Sequence, residues 1–111
     1  MKPITRGDTR QYKFLRKDTD SYVIDIAPQK MYFTLKKSPK DAEVLIQKTN
    51  ADCWQTEDYY WHFRIESEDT ANLDFGKYFY DIEVIQNGVV TTISKGFVEI
   101  TFEATDKGNE V

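Results

Sequence analysis

One histidine and one cysteine are the only residues of their kinds in the chain. A nucleophilic Cys–His pair needs both groups brought together and an orienting third group. Nothing around Cys53 or His62 spells such an arrangement, and no Cys-x-x-Cys or His-x-x-x-His metal spacing occurs. Cys53, beside Trp54, reads as a small packed apolar residue. His62 lies on the polar side of an alternating segment and reads as a surface histidine. The carboxylates Glu66, Glu68 and Asp69 crowd one turn, and Glu57 and Asp58 another. Such pairs can do acid–base work in a cleft or hold calcium. The calcium-loop pattern is missing, so both groups read as solvated loops. Arg6-Gly7-Asp8 spells an adhesion tripeptide, but Gly-Asp-Thr here reads as a turn between two strand pieces. The expectation is no catalysis, no cofactor and no metal.

Aromatic residues are the richer signal. Trp54, Tyr59, Tyr60, Trp61 and Phe63 fall within ten residues. Alternation sends Tyr59, Trp61 and Phe63 to one face as core. Trp54 and Tyr60 are left pointing outward, with Tyr32, Phe79 and Phe97 from other segments. These five form the candidate interaction surface. If several share a sheet face they make an apolar patch, which usually marks a protein contact. Stacking of sugars on Trp54 and Tyr60 is the alternative, a non-catalytic carbohydrate-binding module. The basic runs 13–17 and 36–40 are interleaved with aromatics or placed in loops, a pattern that single-stranded nucleic acid binding uses. Nineteen acidic against fifteen basic residues give a net charge of −4, and nucleic acid is not expected as a partner.

The elements that must position these residues are strands. Residues 31–37, 59–66, 78–85 and 98–103 alternate with period 2, the mark of half-buried strands whose successive side chains point to opposite faces. Shorter β-rich runs cover 11–17, 22–26, 43–48 and 89–94. Asn87-Gly88 between two runs predicts a two-residue type I′ hairpin, since both positions need positive φ. A single helical turn fits 67–73, capped by Ser67 or Asp69. Leu73-x-x-Gly76-x-Tyr78 ahead of a strong strand looks like a tyrosine corner of immunoglobulin-like domains. The expected fold is all-β: one antiparallel, immunoglobulin-like β-sandwich over residues 1–111, with seven to nine short strands, no disulfide, and a frayed tail from about 105. The core should hold Phe14, Phe33, Leu35, Trp61, Phe63, Ile65, Tyr78, Tyr80, Ile82, Val98 and Ile100.

Length and composition agree with one small domain. The chain has 111 residues, enough for a single core. Apolar runs of a few residues are far short of the roughly 20 that span a bilayer, so no membrane association is expected. No signal peptide is visible, and one cysteine suits a reducing compartment. The hairpin over 78–94 should shield its own edges. The first segment, 4–17, should run along a sheet edge. Self-association or partner docking would use that edge or Tyr32, Phe79 and Phe97, weakly in dilute solution.

A resemblance goes further. Ile4-Thr5-Arg6-Gly7-Asp8-Thr9 leads into Tyr12-Lys13-Phe14. Then come Met31-Tyr32-Phe33-Thr34-Leu35-Lys36-Lys37 and Asp41-Ala42-Glu43-Val44-Leu45-Ile46-Gln47-Lys48-Thr49. Asp69-Thr70-Ala71-Asn72-Leu73, Gly76-Lys77-Tyr78-Phe79-Tyr80-Asp81-Ile82, Val90-Thr91-Thr92-Ile93 and Gly96-Phe97-Val98-Glu99-Ile100 complete the series. In order and spacing these resemble small β-sandwich structural proteins of tailed phages and prophages, and the N-terminal domain of phage upper baseplate proteins is similar. The resemblance spans Ile4 to about Thr105. It implies a non-enzymatic virion component, tail-, baseplate- or head-associated. Its partners would be other virion proteins or itself, in the host cytoplasm before assembly and in the virion afterwards. It brings no active-site residues.

Overall fold

The computed structural model describes residues 1–24 and 27–102. The tail expected to fray lies outside them, as does part of the run predicted over 22–26. Eight strands follow in chain order: β1 (Ile4–Thr5), β2 (Arg10–Phe14), β3 (Lys30–Lys36), β4 (Ile46–Thr49), β5 (Trp54–Gln55), β6 (Trp61–Ile65), β7 (Gly76–Gln86) and β8 (Val89–Thr101). A 3₁₀ turn, Asn50–Asp52, precedes β5, and a one-turn helix, α1 (Ser67–Thr70), follows β6. An isolated bridge between Lys17 and Val23 brings the extended segments to ten, more than the sequence predicts. The strands form two sheets, ordered β1-β8-β7-β3-β4 and β2-β6-β5.

The alternation does what period-2 patterning requires. Along β7, Tyr78, Tyr80, Ile82 and Val84 are buried, while Phe79, Asp81, Glu83 and Ile85 are only half-buried. Phe33 of one sheet and Phe63 of the other stack with centroids 4.7 Å apart, and one core cluster draws on both sheets. Met31, Trp61 and Val84 form a smaller cluster beside it. Phe14 is half-buried rather than interior, bridging the two clusters from the edge strand β2. Ile4 and Ile46 join the core without having been expected there.

Four readings need correction. Tyr59 is 47% exposed: it sits at φ +67° in a turn closed by its own N–H to the Thr56 carbonyl, so alternation begins only at Trp61. Phe102 is 72% exposed, because β8 ends at Thr101 and the ring leaves the core to meet the edge of Phe75. The run over 43–48 becomes a strand only from Ile46, with Val44 exposed. Pairing is not wholly antiparallel, since β1 runs parallel to β8, Ile4 opposite Ile100.

Local devices fix the path. Asn87 and Gly88 adopt φ of 51° and 77° and join Gln86 to Val89 in a two-residue turn. The Tyr78 hydroxyl donates to the Asp74 carbonyl at 2.6 Å, the bond a tyrosine corner makes. Gly7, at φ +82°, turns the chain from β1 in one sheet to β2 in the other, so the first segment supplies an edge to each. Its N–H donates to the buried Thr70 hydroxyl at 2.9 Å. The helical turn is capped by Glu66, not by Ser67 or Asp69. Asp69 instead reaches back to accept the Glu66 N–H at 2.7 Å.

Candidate functional site

Strand register decides which candidate aromatics meet. Phe79 and Phe97 stand directly opposite on β7 and β8, edge to face with centroids 5.7 Å apart. The Lys77 ammonium covers the Phe97 ring at 4.5 Å. Tyr32 pairs with Glu83, four residues along β7 from Phe79, which is roughly 13 Å along the strand. The pair Thr34 and Asp81 lies between them. The five-stranded sheet therefore carries one phenylalanine pair and one separate tyrosine, not a continuous aromatic patch.

Trp54 belongs to β5 of the other sheet, and Tyr60 ends the turn that leads into its strand β6. Lys13, His62 and Trp54 form one row across β2, β6 and β5. The Trp54 indole lies nearly parallel to the His62 ring, centroids 5.5 Å apart and planes 14° apart. Tyr60 is covered by the Lys13 ammonium at 4.5 Å. The two rings thus have different neighbours and do not form a shared platform.

His62 is the hub of a network that sequence reading missed. Gln11 Nε2 can only donate, so Nδ1 at 3.3 Å accepts and Nε2 carries the proton. Nε2 then donates to Thr56 Oγ1 at 2.9 Å. The Thr56 hydroxyl passes a bond to Asp58, whose carboxyl is held below the usual range by that hydroxyl and by the Tyr60 N–H.

Beside this network lies a cleft of about 410 Å³ lined by Lys48, Asp52, Trp54, Arg64 and Glu66. It forms where the chain crosses between sheets, from edge strand β4 through the 3₁₀ turn to edge strand β5. Thr49 holds the crossing: its N–H donates to Asp52 Oδ2 at 2.9 Å, and its hydroxyl accepts from Ala51 at 3.3 Å. Lys48 is tied to Asp69 of α1 at 2.7 Å. Of these residues Trp54 carried a sequence signal as an outward aromatic, and Glu66 and Asp69 as part of a carboxylate cluster. The rest come from separate segments joined by the crossing.

The longest strand edge without a paired neighbour among the described residues belongs to β8. Among the described residues, β1 covers only Ile100 and Thr101 on its outer side. Residues 15–17 approach Thr91, Thr92 and Ile93 across a groove of about 330 Å³. The hairpin therefore shields β7, which lies between β8 and β3, but not the outer side of β8.

Cys53 packs against both core clusters. Burial, with the nearby Asp52 charge, pushes its thiol up to about 11. The thiolate is the reactive form, so at pH 8 about one molecule in a thousand is poised to react. Labelling with a disulfide reagent is expected to be about a hundredfold slower at pH 8 in the native protein than in urea. It should rise about tenfold per pH unit up to pH ~10. Native labelling at the unfolded rate would show that the thiol is not protected.

Among the described residues no three of His, Cys, Asp or Glu come together to hold a metal, and no helix is long and apolar enough to cross a membrane. No protein-family model matches the chain, and no curated protein matches it.

Proposed function

We propose that the chain is an immunoglobulin-like β-sandwich serving as a structural or assembly component of a tailed-phage or prophage virion. It acts through contacts with other virion proteins or with itself, in the host cytoplasm before assembly and in the particle afterwards. The strand order β1-β8-β7-β3-β4 against β2-β6-β5, the shared core and the Tyr78 corner favour the sandwich.

The side of β8 left unpaired among the described residues carries the functional reading. Exposed strand edges are usually blunted by charge, proline or short length. Residues 89–94, Val-Val-Thr-Thr-Ile-Ser, contain neither charge nor proline, and Val89 and Val90 are 64% and 57% exposed. A single register irregularity, at Ile82/Glu83, is what interrupts the ladder there. Such an edge is suited to accept a strand from a neighbour.

Mass spectrometry of purified particles from an induced host should recover the chain at a stoichiometric level. Repeated absence from particles, with normal assembly after deletion of its gene, would sink the reading. In isolation, light scattering across a concentration series should show a monomer at low micromolar concentration and a rising mass toward about 1 mM, because a single strand edge buries far less than the roughly 1,200 Å² of a stable interface. Val90→Lys with Thr92→Lys should hold the mass at that of the monomer throughout. A tight dimer at nanomolar concentration would refute weak association.

A further inference from the structure

Trp54 is a surface indole held still. It is 38% exposed and belongs to neither core cluster. Even so, His62 stacks against it, and His62 is fixed at both ring nitrogens by Gln11 and Thr56. His62 does not line the cleft, whereas Trp54 does. The indole is thus a wall backed by His62, and the Arg64 guanidinium, which also lines the cleft, lies loosely over the ring at 5.9 Å, a contact a ligand at the cleft would displace. Rigid aromatic walls lower the ordering cost of binding a flat, apolar surface.

The other walls set the chemistry. Lys48 and Arg64 contribute two positive charges and Asp52 and Glu66 two negative ones, while Asp69, outside the lining, pairs with Lys48 at 2.7 Å, so no positive excess remains. An anion such as a phosphate needs a positive excess, which these walls lack. What suits one apolar plate ringed by balanced donors and acceptors is a neutral ligand with one apolar face and a rim of hydroxyls. Arg64 and Glu66 stand 4.0 Å apart with side chains 49% and 41% exposed, loosely enough paired to exchange that contact for hydroxyl bonds. Hydrogen bonds to charged groups are the stronger kind. At about 410 Å³ the cleft exceeds the roughly 300 Å³ at which small-molecule sites begin.

We propose that the cleft formed by Lys48, Asp52, Trp54, Arg64 and Glu66 binds a neutral pyranose ring, whose C–H face lies on the Trp54 indole and whose hydroxyls bond Arg64 and Glu66. Tyr60, covered by Lys13, takes no part. This site stands apart from the β8 edge, on which the assembly reading rests, so either can fail alone.

The test is a nuclear magnetic resonance titration of the full chain with methyl β-D-galactopyranoside, methyl β-D-glucopyranoside and methyl β-D-glucuronide. At least one neutral glycoside should shift the Trp54 indole N–H saturably, with a dissociation constant in the millimolar range. Trp54→Ala should weaken binding by about tenfold or more, read from the backbone amides of Arg64 and Glu66, with core amides unmoved. Should Trp54→Ala disturb the fold, Arg64→Gln with Glu66→Gln should show the same loss. Tyr60→Ala should bind as the parent does. Linear, unsaturated shifts for both neutral glycosides up to about 100 mM would overturn the proposal. So would parent-like binding by a folded Trp54→Ala or by the Arg64→Gln, Glu66→Gln pair, loss of binding in Tyr60→Ala, or glucuronide binding about tenfold tighter than either neutral sugar.

Discussion

Replacing Phe63 with alanine is expected to cost about 3–5 kcal/mol, the range for truncating a buried aromatic ring. Phe63 is 1% exposed and touches three other rings: Phe33 at 4.7 Å, Tyr12 at 5.7 Å and Phe14 at 6.3 Å. Phe33 belongs to the opposite sheet, so the cavity would open between the sheets, where neither can close it without moving as a unit. A domain of this size has only about 5–15 kcal/mol in total. Urea unfolding should therefore show a large drop in midpoint with a similar slope. Phe63→Leu, which keeps most of the volume, should lose much less. A Phe63→Ala loss below about 1.5 kcal/mol would mean the two sheets do not depend on that contact.

Ile4→Ala is expected to cost about 2–5 kcal/mol, although the residue sits in a strand of two. Ile4 is fully buried and belongs to the main core cluster. Its strand pairs with the end of β8, and the Arg6 N–H donates to the Thr101 carbonyl at 2.8 Å. Losing the side chain empties a core position and loosens the strand that shields the end of β8. Hydrogen exchange should rise at Ile100 and Thr101 before it rises in β3 or β7. A loss under about 0.5 kcal/mol, the size of an ordinary surface substitution, would show that β1 is dispensable.

Much of this core was legible because period-2 alternation reports burial directly. Phe33, Leu35, Phe63, Ile65 and the β7 series lie inside, as their spacing predicts. Ile4 escaped because two residues carry no period. Tyr59 was misread because its positive φ interrupts a pattern that letters alone continue. The candidate surface was less legible still. Outward residues can be recognised one strand at a time, but whether they meet depends on register, which placed Tyr32 beside Glu83 rather than near Phe79. The Trp54 cleft draws its charged walls from β4, the 3₁₀ turn, β6 and the Glu66 cap of α1; alternation puts Arg64 and Glu66 on one face, but no local pattern links them to Lys48 and Asp52.

The parallel pairing of β1 with β8 also sets an order of events. The Thr101 hydroxyl donates to the Ile4 carbonyl across 97 positions of chain, whereas β7 and β8 meet through a two-residue turn. Hairpins close in about 1–10 μs, while the entropy of closing a loop grows with its length. During synthesis β1 is made ahead of the other strands described here, yet the place of Ile4 in the core is complete only once β8 has followed. For that whole interval an isoleucine destined for the interior lacks its strand partner, and β8 completes the burial of a strand made almost a hundred residues earlier.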